Sequence, residues 1–164
     1  MSLLKLMKTE DWLIEYDKIS LNILKNKIVL ETGTLEELLQ IKNEILHSTE
    51  KTNFQIKILD KNITNILYRI CWLSLFYFCD VETSNNKTIL RCRNIFRKKN
   101  EDYGNAFLDF GVIGILVRIC DKINRISNLK QKNKTPEVID ENIDDTFLDL
   151  FNYSVLALCL IELC

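Results

Sequence analysis

Four glycines and one proline are the only backbone breakers in a chain of 164 residues. Proline stops helices and glycine weakens them, so a chain this poor in both is free to run in long helices. The same scarcity argues against a β-sandwich, whose short strands need turn residues roughly every 8–12 positions. The sequence therefore points to an all-α fold, a single-domain helical bundle of about six helices. The chain is long enough to give such a bundle its own core.

Charge narrows the partners. Lys and Arg total 22 against 23 Asp and Glu, so no global field draws in a nucleic acid or an anionic membrane. No stable nucleic-acid binding and no membrane association are expected. The apolar run from Ile66 to Cys79 contains Arg69, and the run from Leu150 to Cys164 contains Asn152 and Glu162. Both fall short of the roughly 20 apolar residues of a spanning helix and read as core helices. Lys5, Lys8, Glu10 and Asp11 interrupt the first residues, so no secretory leader is expected. The six cysteines are Cys71, Cys79, Cys92, Cys120, Cys159 and Cys164. None forms a CxxC pair, and His47 is the single histidine. A structural zinc site is not expected. Cysteines in apolar helical runs serve as small buried hydrophobes, which suits a reducing, cytoplasmic location.

In chain order, Thr9-Glu10-Asp11 opens a first helix with Trp12, Leu13, Tyr16, Ile19 and Ile23 on its apolar side. Gly33 is the expected stop. Thr34-Leu-Glu-Glu37 reads as a capping box for a second helix ending at His47, there a helix-terminal residue rather than a base. A third helix is expected over 56–79, a polar break over 80–86 and a fourth helix over 87–102. The outer face of that fourth helix carries Arg91, Arg93, Arg97, Lys98 and Lys99. A fifth helix over 105–129 contains Gly111 and Gly114, whose spacing permits a close helix contact or a kink. A polar loop over 130–136 and a last helix from Asp140 complete the chain. The break divides it into halves, 1–82 and 87–164. A shift of 80 lays Leu59-Asp60-Lys61-Asn62-Ile63 over Ile139-Asp140-Glu141-Asn142-Ile143, and Ser74 over Ser154. Two degenerate repeats would explain this, as would chance helix alignment. In the repeat reading Lys61, Asn65 and Arg69 stand where Glu141, Asp145 and Asp149 stand, leaving the second half chemically competent.

That half holds the polar constellation. Glu141, Asp145 and Asp149 follow at i, i+4, i+8, with Asn152 on the same stripe. Arg118, Asp121, Lys122 and Arg125 form another stripe at i, i+3, i+4, i+7. Three carboxylates on one face repel unless a cation neutralises them, and hard oxygen ligands favour Mg²⁺ or Mn²⁺. Asp121 would complete the metal set from the facing helix. Lys122 and Arg125 would neutralise phosphate oxygens beside a metal-activated water, the three forming the catalytic group. Lys99, Asp102, Tyr103, Arg118 and Asn152 would bind the nucleotide, with Tyr103 stacking on the base. The competing reading is an interhelical ion-pair network in a non-catalytic interaction scaffold. Acids near a helix start also complement its dipole, which covers Asp145 but not Asp149.

The ordered motifs Lys99-x-x-Asp102-Tyr103-Gly104, Arg118-x-x-Asp121-Lys122-x-x-Arg125 and Glu141-x-x-x-Asp145-Thr-x-x-Asp149-Leu-x-Asn152-Tyr153 resemble the nucleotide modification associated domain 1 family. The resemblance covers about residues 88 to 162. Through that family's relation to all-α nucleotide pyrophosphohydrolases of the MazG and dimeric dUTPase type, it implies a helical bundle, Mg²⁺ and cleavage of a nucleoside triphosphate to monophosphate and pyrophosphate. Glu141, Asp145 and Asp149 would be the last-helix acids and Asp121 the facing-helix acid. The MazG-type pattern pairs ExxE with ExxD, whereas here the first helix offers Asp121 beside Lys122. Related bundles often dimerise; a homodimer or a fused duplication would each supply a two-sided site.

Overall fold

A computed structural model describes residues 3–30, 33–51, 61–78, 82–131 and 142–164. Its elements are α1 (Leu3–Leu6), α2 (Thr9–Lys25), α3 (Thr34–Lys51), α4 (Lys61–Phe78), α5 (Glu82–Tyr103), a short 3-10 turn (Ala106–Leu108), α6 (Gly111–Gln131) and α7 (Ile143–Leu163). Among the described residues there are no strands, and the fold is an all-α bundle. Glu141, Cys79 and the loop over 132–136, with its single proline, lie outside the described residues.

Helix α7 is the centre of the bundle. It packs on α2, α4, α5 and α6, and every residue from Thr146 to Leu160 except Tyr153 is buried. It is long and apolar enough to cross a membrane, yet 78% of its most apolar window is buried inside the bundle. A helix that is apolar all round is one that has neighbours all round. Tyr77 of α4 lies flat on Phe147 at 3.8 Å between ring centroids. Its hydroxyl donates to Asp144 at 2.6 Å, which anchors the first turn of α7. Cys71, Cys92 and Cys159 are buried free thiols. Burial pushes Cys71 well up and takes Cys92 and Cys159 to about 12, so all three stay protonated packing groups at neutral pH.

Several helix ends differ from the sequence expectation. α2 is capped by Asp11, whose carboxylate accepts from the Lys8 N–H at 2.8 Å. α3 continues to Lys51, which places His47 inside the helix with its ring exposed. Glu37, expected in a capping box, is one of two buried acids among the described residues. It accepts from Arg69 Nε at 3.0 Å, and Glu44 accepts from the same guanidinium at 2.9 Å. An arginine on α4 needs these partners because a half-buried cation without them is costly. α5 begins at Glu82, within the expected polar break, and Asn85 is buried there.

The expected fifth helix does not begin at 105. Gly104 and Gly111 adopt φ of +61° and +59°, and these two residues bracket the 3-10 turn between α5 and α6. Only glycine takes that conformation without a steric cost. Asn105 holds the turn to the N-terminal segment by donating to the Met7 carbonyl at 2.8 Å. No heavy atom lies within 4 Å of a Cβ built on Gly104, so its conformation is the whole constraint. Gly104→Ala is expected to cost about 1–2 kcal/mol, and Gly104→Asn less, because asparagine tolerates the left-handed region. Thermal unfolding of the two variants checks the order.

Candidate functional site

The turn held by Gly104 and Gly111 forms one wall of a cleft of about 530 Å³ between α5, α6 and α7. α5 contributes Phe96, Lys99, Asn100 and Tyr103. The turn contributes Phe107, Asp109 and Phe110, α6 contributes Ile115 and Arg118, and α7 contributes Asp149, Asn152, Tyr153 and Leu156. Tyr103 and Phe110 are exposed at 74% and 79%, so large rings stand at the mouth. Gly114 is required beneath the lip, since a Cβ there would meet the Phe110 Cβ at 2.4 Å.

Asp149 is the buried acid of the cleft. It sits on the buried core helix because its i, i+4 stripe turns inward after the first turn. Lys99 reaches one carboxylate oxygen at 2.9 Å from α5, and Lys122 the other at 2.8 Å from α6. The Lys122 side chain is only 16% exposed, whereas Lys99 is 54% exposed. Both lysines supply the compensation that a buried carboxylate demands. Lys99 is thus the member of the basic run that reaches Asp149. Of the others, Arg93 pairs with Asp17 at 2.7 Å and Arg97 with Glu101 at 3.0 Å.

Asn152 is held from two sides. Its Oδ1 accepts from the Tyr16 hydroxyl at 2.6 Å, and its Nδ2 donates to the Cys92 carbonyl at 3.0 Å. Burial pushes Tyr16 well above its ordinary value, aided by the neighbouring thiols, so its hydroxyl remains a donor. Its ring lies parallel to Phe96 at 5.6 Å, and Trp12 meets Phe107 edge-on at 4.9 Å. Sequence reasoning placed no first-half residue at the site. The available signal was Tyr16 itself, since a buried tyrosine hydroxyl needs a partner.

The structure therefore gathers Lys99, Tyr103, Arg118, Asp149 and Asn152, with Lys122 behind Asp149. Asp102 is exposed and does not line the cleft. Asp121 is 60% exposed and lies 4.0 Å from Arg118 on the same helix. Arg125 donates to the Thr146 hydroxyl at 3.2 Å. Asp145 belongs to the helix start: its N–H donates to Asn142 Oδ1 at 2.9 Å, and its carboxylate accepts from the Asn142 N–H at 3.3 Å. This is a reciprocal cap. Among the described residues no three acids, histidines or cysteines are grouped to hold a metal ion.

Lys99 and Arg118 bring two cations, and Asp109 and Asp149 two acids, to one cleft with aromatic surface, and the volume falls in the range of small-molecule sites. Residues 99–163 match the family model described as nucleotide modification associated domain 1. The matched stretch contains Lys99, Arg118, Asp149 and Asn152, and so most of the cleft. Phe96 and the supporting Tyr16 lie outside the matched segment. No curated protein and no solved structure matches the chain.

Removing the carboxylate leaves two lysines facing a buried space. Asp149→Ala is expected to cost about 2–3 kcal/mol, the range for hydrogen bonds to charged groups. Lys99→Ala should cost less than about 1 kcal/mol, because Lys99 is half in water. Denaturant unfolding of both variants measures the difference.

Proposed function

We propose that the cleft between α5, α6 and α7 binds a nucleotide. The phosphates would lie against Lys99 and Arg118, and the base against the ring-lined lip of Tyr103, Phe107 and Phe110. The observation that carries this reading is the entry of two cations from two helices into one aromatic-lined cleft. Guanidinium groups suit phosphate oxygens geometrically, and every base offers a face to stack on. The description of the matched family points the same way.

Hydrolysis of that nucleotide to a monophosphate and pyrophosphate is the finer proposal, with Mg²⁺ or Mn²⁺ held by Asp121, Glu141, Asp145 and Asp149. Its only support is the relation of the resembled family to the MazG-type enzymes. The described acids do not fit it as they stand. Asp149 is held by two lysines, Asp145 caps a helix and Asp121 is on the outer surface. We therefore assign no step to a metal. A second reading, a helical interaction scaffold, draws on the same Lys99–Asp149–Lys122 network, which is complete without a ligand.

Thermal unfolding with each common nucleoside triphosphate, with and without Mg²⁺, tests the proposal. A ligand at a hundredfold excess over Kd should add about 2.7 kcal/mol, or roughly 5–10 °C in Tm. Arg118→Ala should remove most of that rise and leave the unliganded Tm nearly unchanged. No rise with any nucleotide in either condition would sink the proposal in favour of the scaffold. A rise that requires Mg²⁺ and disappears in Asp145→Asn would support the hydrolytic reading.

A further inference from the structure

The two halves match far beyond the short sequence echo. At an offset of 80, Trp12, Tyr16 and Ser20 of α2 fall on Cys92, Phe96 and Asn100 of α5, and all six are buried. At the same offset Ile70 and Ser74 of α4 fall on Leu150 and Ser154 of α7, again all buried. At an offset of 78 the five buried positions of α3 from Glu37 to Thr49 fall on five buried positions of α6 from Ile115 to Ser127. The offset falls by two between α2/α5 and α3/α6 and returns to 80 at α4/α7.

The packing has the same symmetry. α2 packs on α5, α3 on α6 and α4 on α7, so each helix touches its own counterpart. The other principal helix contacts come in matched pairs: α3–α4 with α6–α7, α2–α4 with α5–α7, and α2–α7 with α4–α5. Self-contacts plus exchanged pairs are what a two-fold axis produces in a dimer. The Tyr16 and Phe96 rings, counterparts at offset 80, stack on each other with an interplanar angle of 9°.

The polar residues at matching places are exchanged in kind. In one half, Asp149 on the last helix meets Lys122 at 2.8 Å; in the other, Arg69 meets Glu44 at 2.9 Å, with the charges reversed. Asn152, which takes the Tyr16 hydroxyl, has Trp72 as its counterpart, and Tyr16 has Phe96. A polar pair in one half thus corresponds to an apolar pair in the other. Trp72 is 2% exposed, donates to the Asn26 carbonyl at 3.0 Å and packs on Phe76. Phe76 in turn stands where the open half has Leu156.

We propose that α2–α4 are a second copy of the unit α5–α7, docked on it as a built-in partner subunit, with Trp72 filling the place that the cleft occupies in the other copy. The open cleft then needs no second chain to complete it. This goes beyond the nucleotide reading and does not depend on it.

The test is to write the open half's polar pair into the closed half. Trp72→Asn removes a buried indole and leaves an amide without a partner. Phe96→Tyr then places a hydroxyl where the two-fold relation directs it at residue 72. The Trp72→Asn/Phe96→Tyr double variant should melt at least about 3 °C above the sum of the two single effects. A double variant no better than that sum, folded or not, would overturn the proposal. Sedimentation of the unmodified protein across the micromolar range is the second readout. A 19.3 kDa monomer is expected, and a stable species of twice that mass would also overturn it.

Discussion

The bundle is arranged around a charge on its central helix. α7 is packed on several sides, and Asp149 carries a carboxylate into that packing. The carboxylate is tolerable only where cations reach it from neighbouring helices, and this fixes how α5 and α6 present Lys99 and Lys122. The cleft opens where Lys99 meets the surface, because an ammonium with half its area in water cannot be sealed by apolar neighbours. Site and core are thus consequences of the same desolvation problem.

The long helices and their apolar faces were legible because glycine and proline are scarce and the apolar spacing is regular. Lys99 and Asp149 were legible as exceptions: a cation at the end of a solvated run, and an acid beyond the reach of a helix-terminus effect. The roles of Asp145 and Asp121 were not. Spacing of four places residues on a common stripe but leaves open how that stripe is rotated toward its neighbours. Asp145 falls in the first turn and closes its own cap, while Asp121 faces outward one position from the inward Lys122. That rotation is set by packing against α3 and α7, which no local pattern encodes.

The first half was equally opaque to local reading. Arg69 looked like an interruption in an apolar run; in the fold it binds two glutamates from α3. Tyr16 looked like one more core aromatic; it orients Asn152, which lies 136 residues away in sequence. Both cases turn on partners distant in sequence, and in both the demand was visible while its answer was not. A half-buried guanidinium and a buried phenol each require a partner.

The turn between Gly104 and Gly111 has a consequence for how such a protein can diversify. Its path is set by two backbone conformations, by the Asn105 tether to Met7 and by Phe107 packed against Trp12. Ala106 and Phe110 are exposed and sit on a frame that does not depend on their identity for its course. Replacing these side chains would change the surface at the cleft mouth without asking the bundle to refold. The chemistry of that mouth is in this sense separable from stability, and a lineage keeping the two glycines could alter it through a few substitutions in a single short segment.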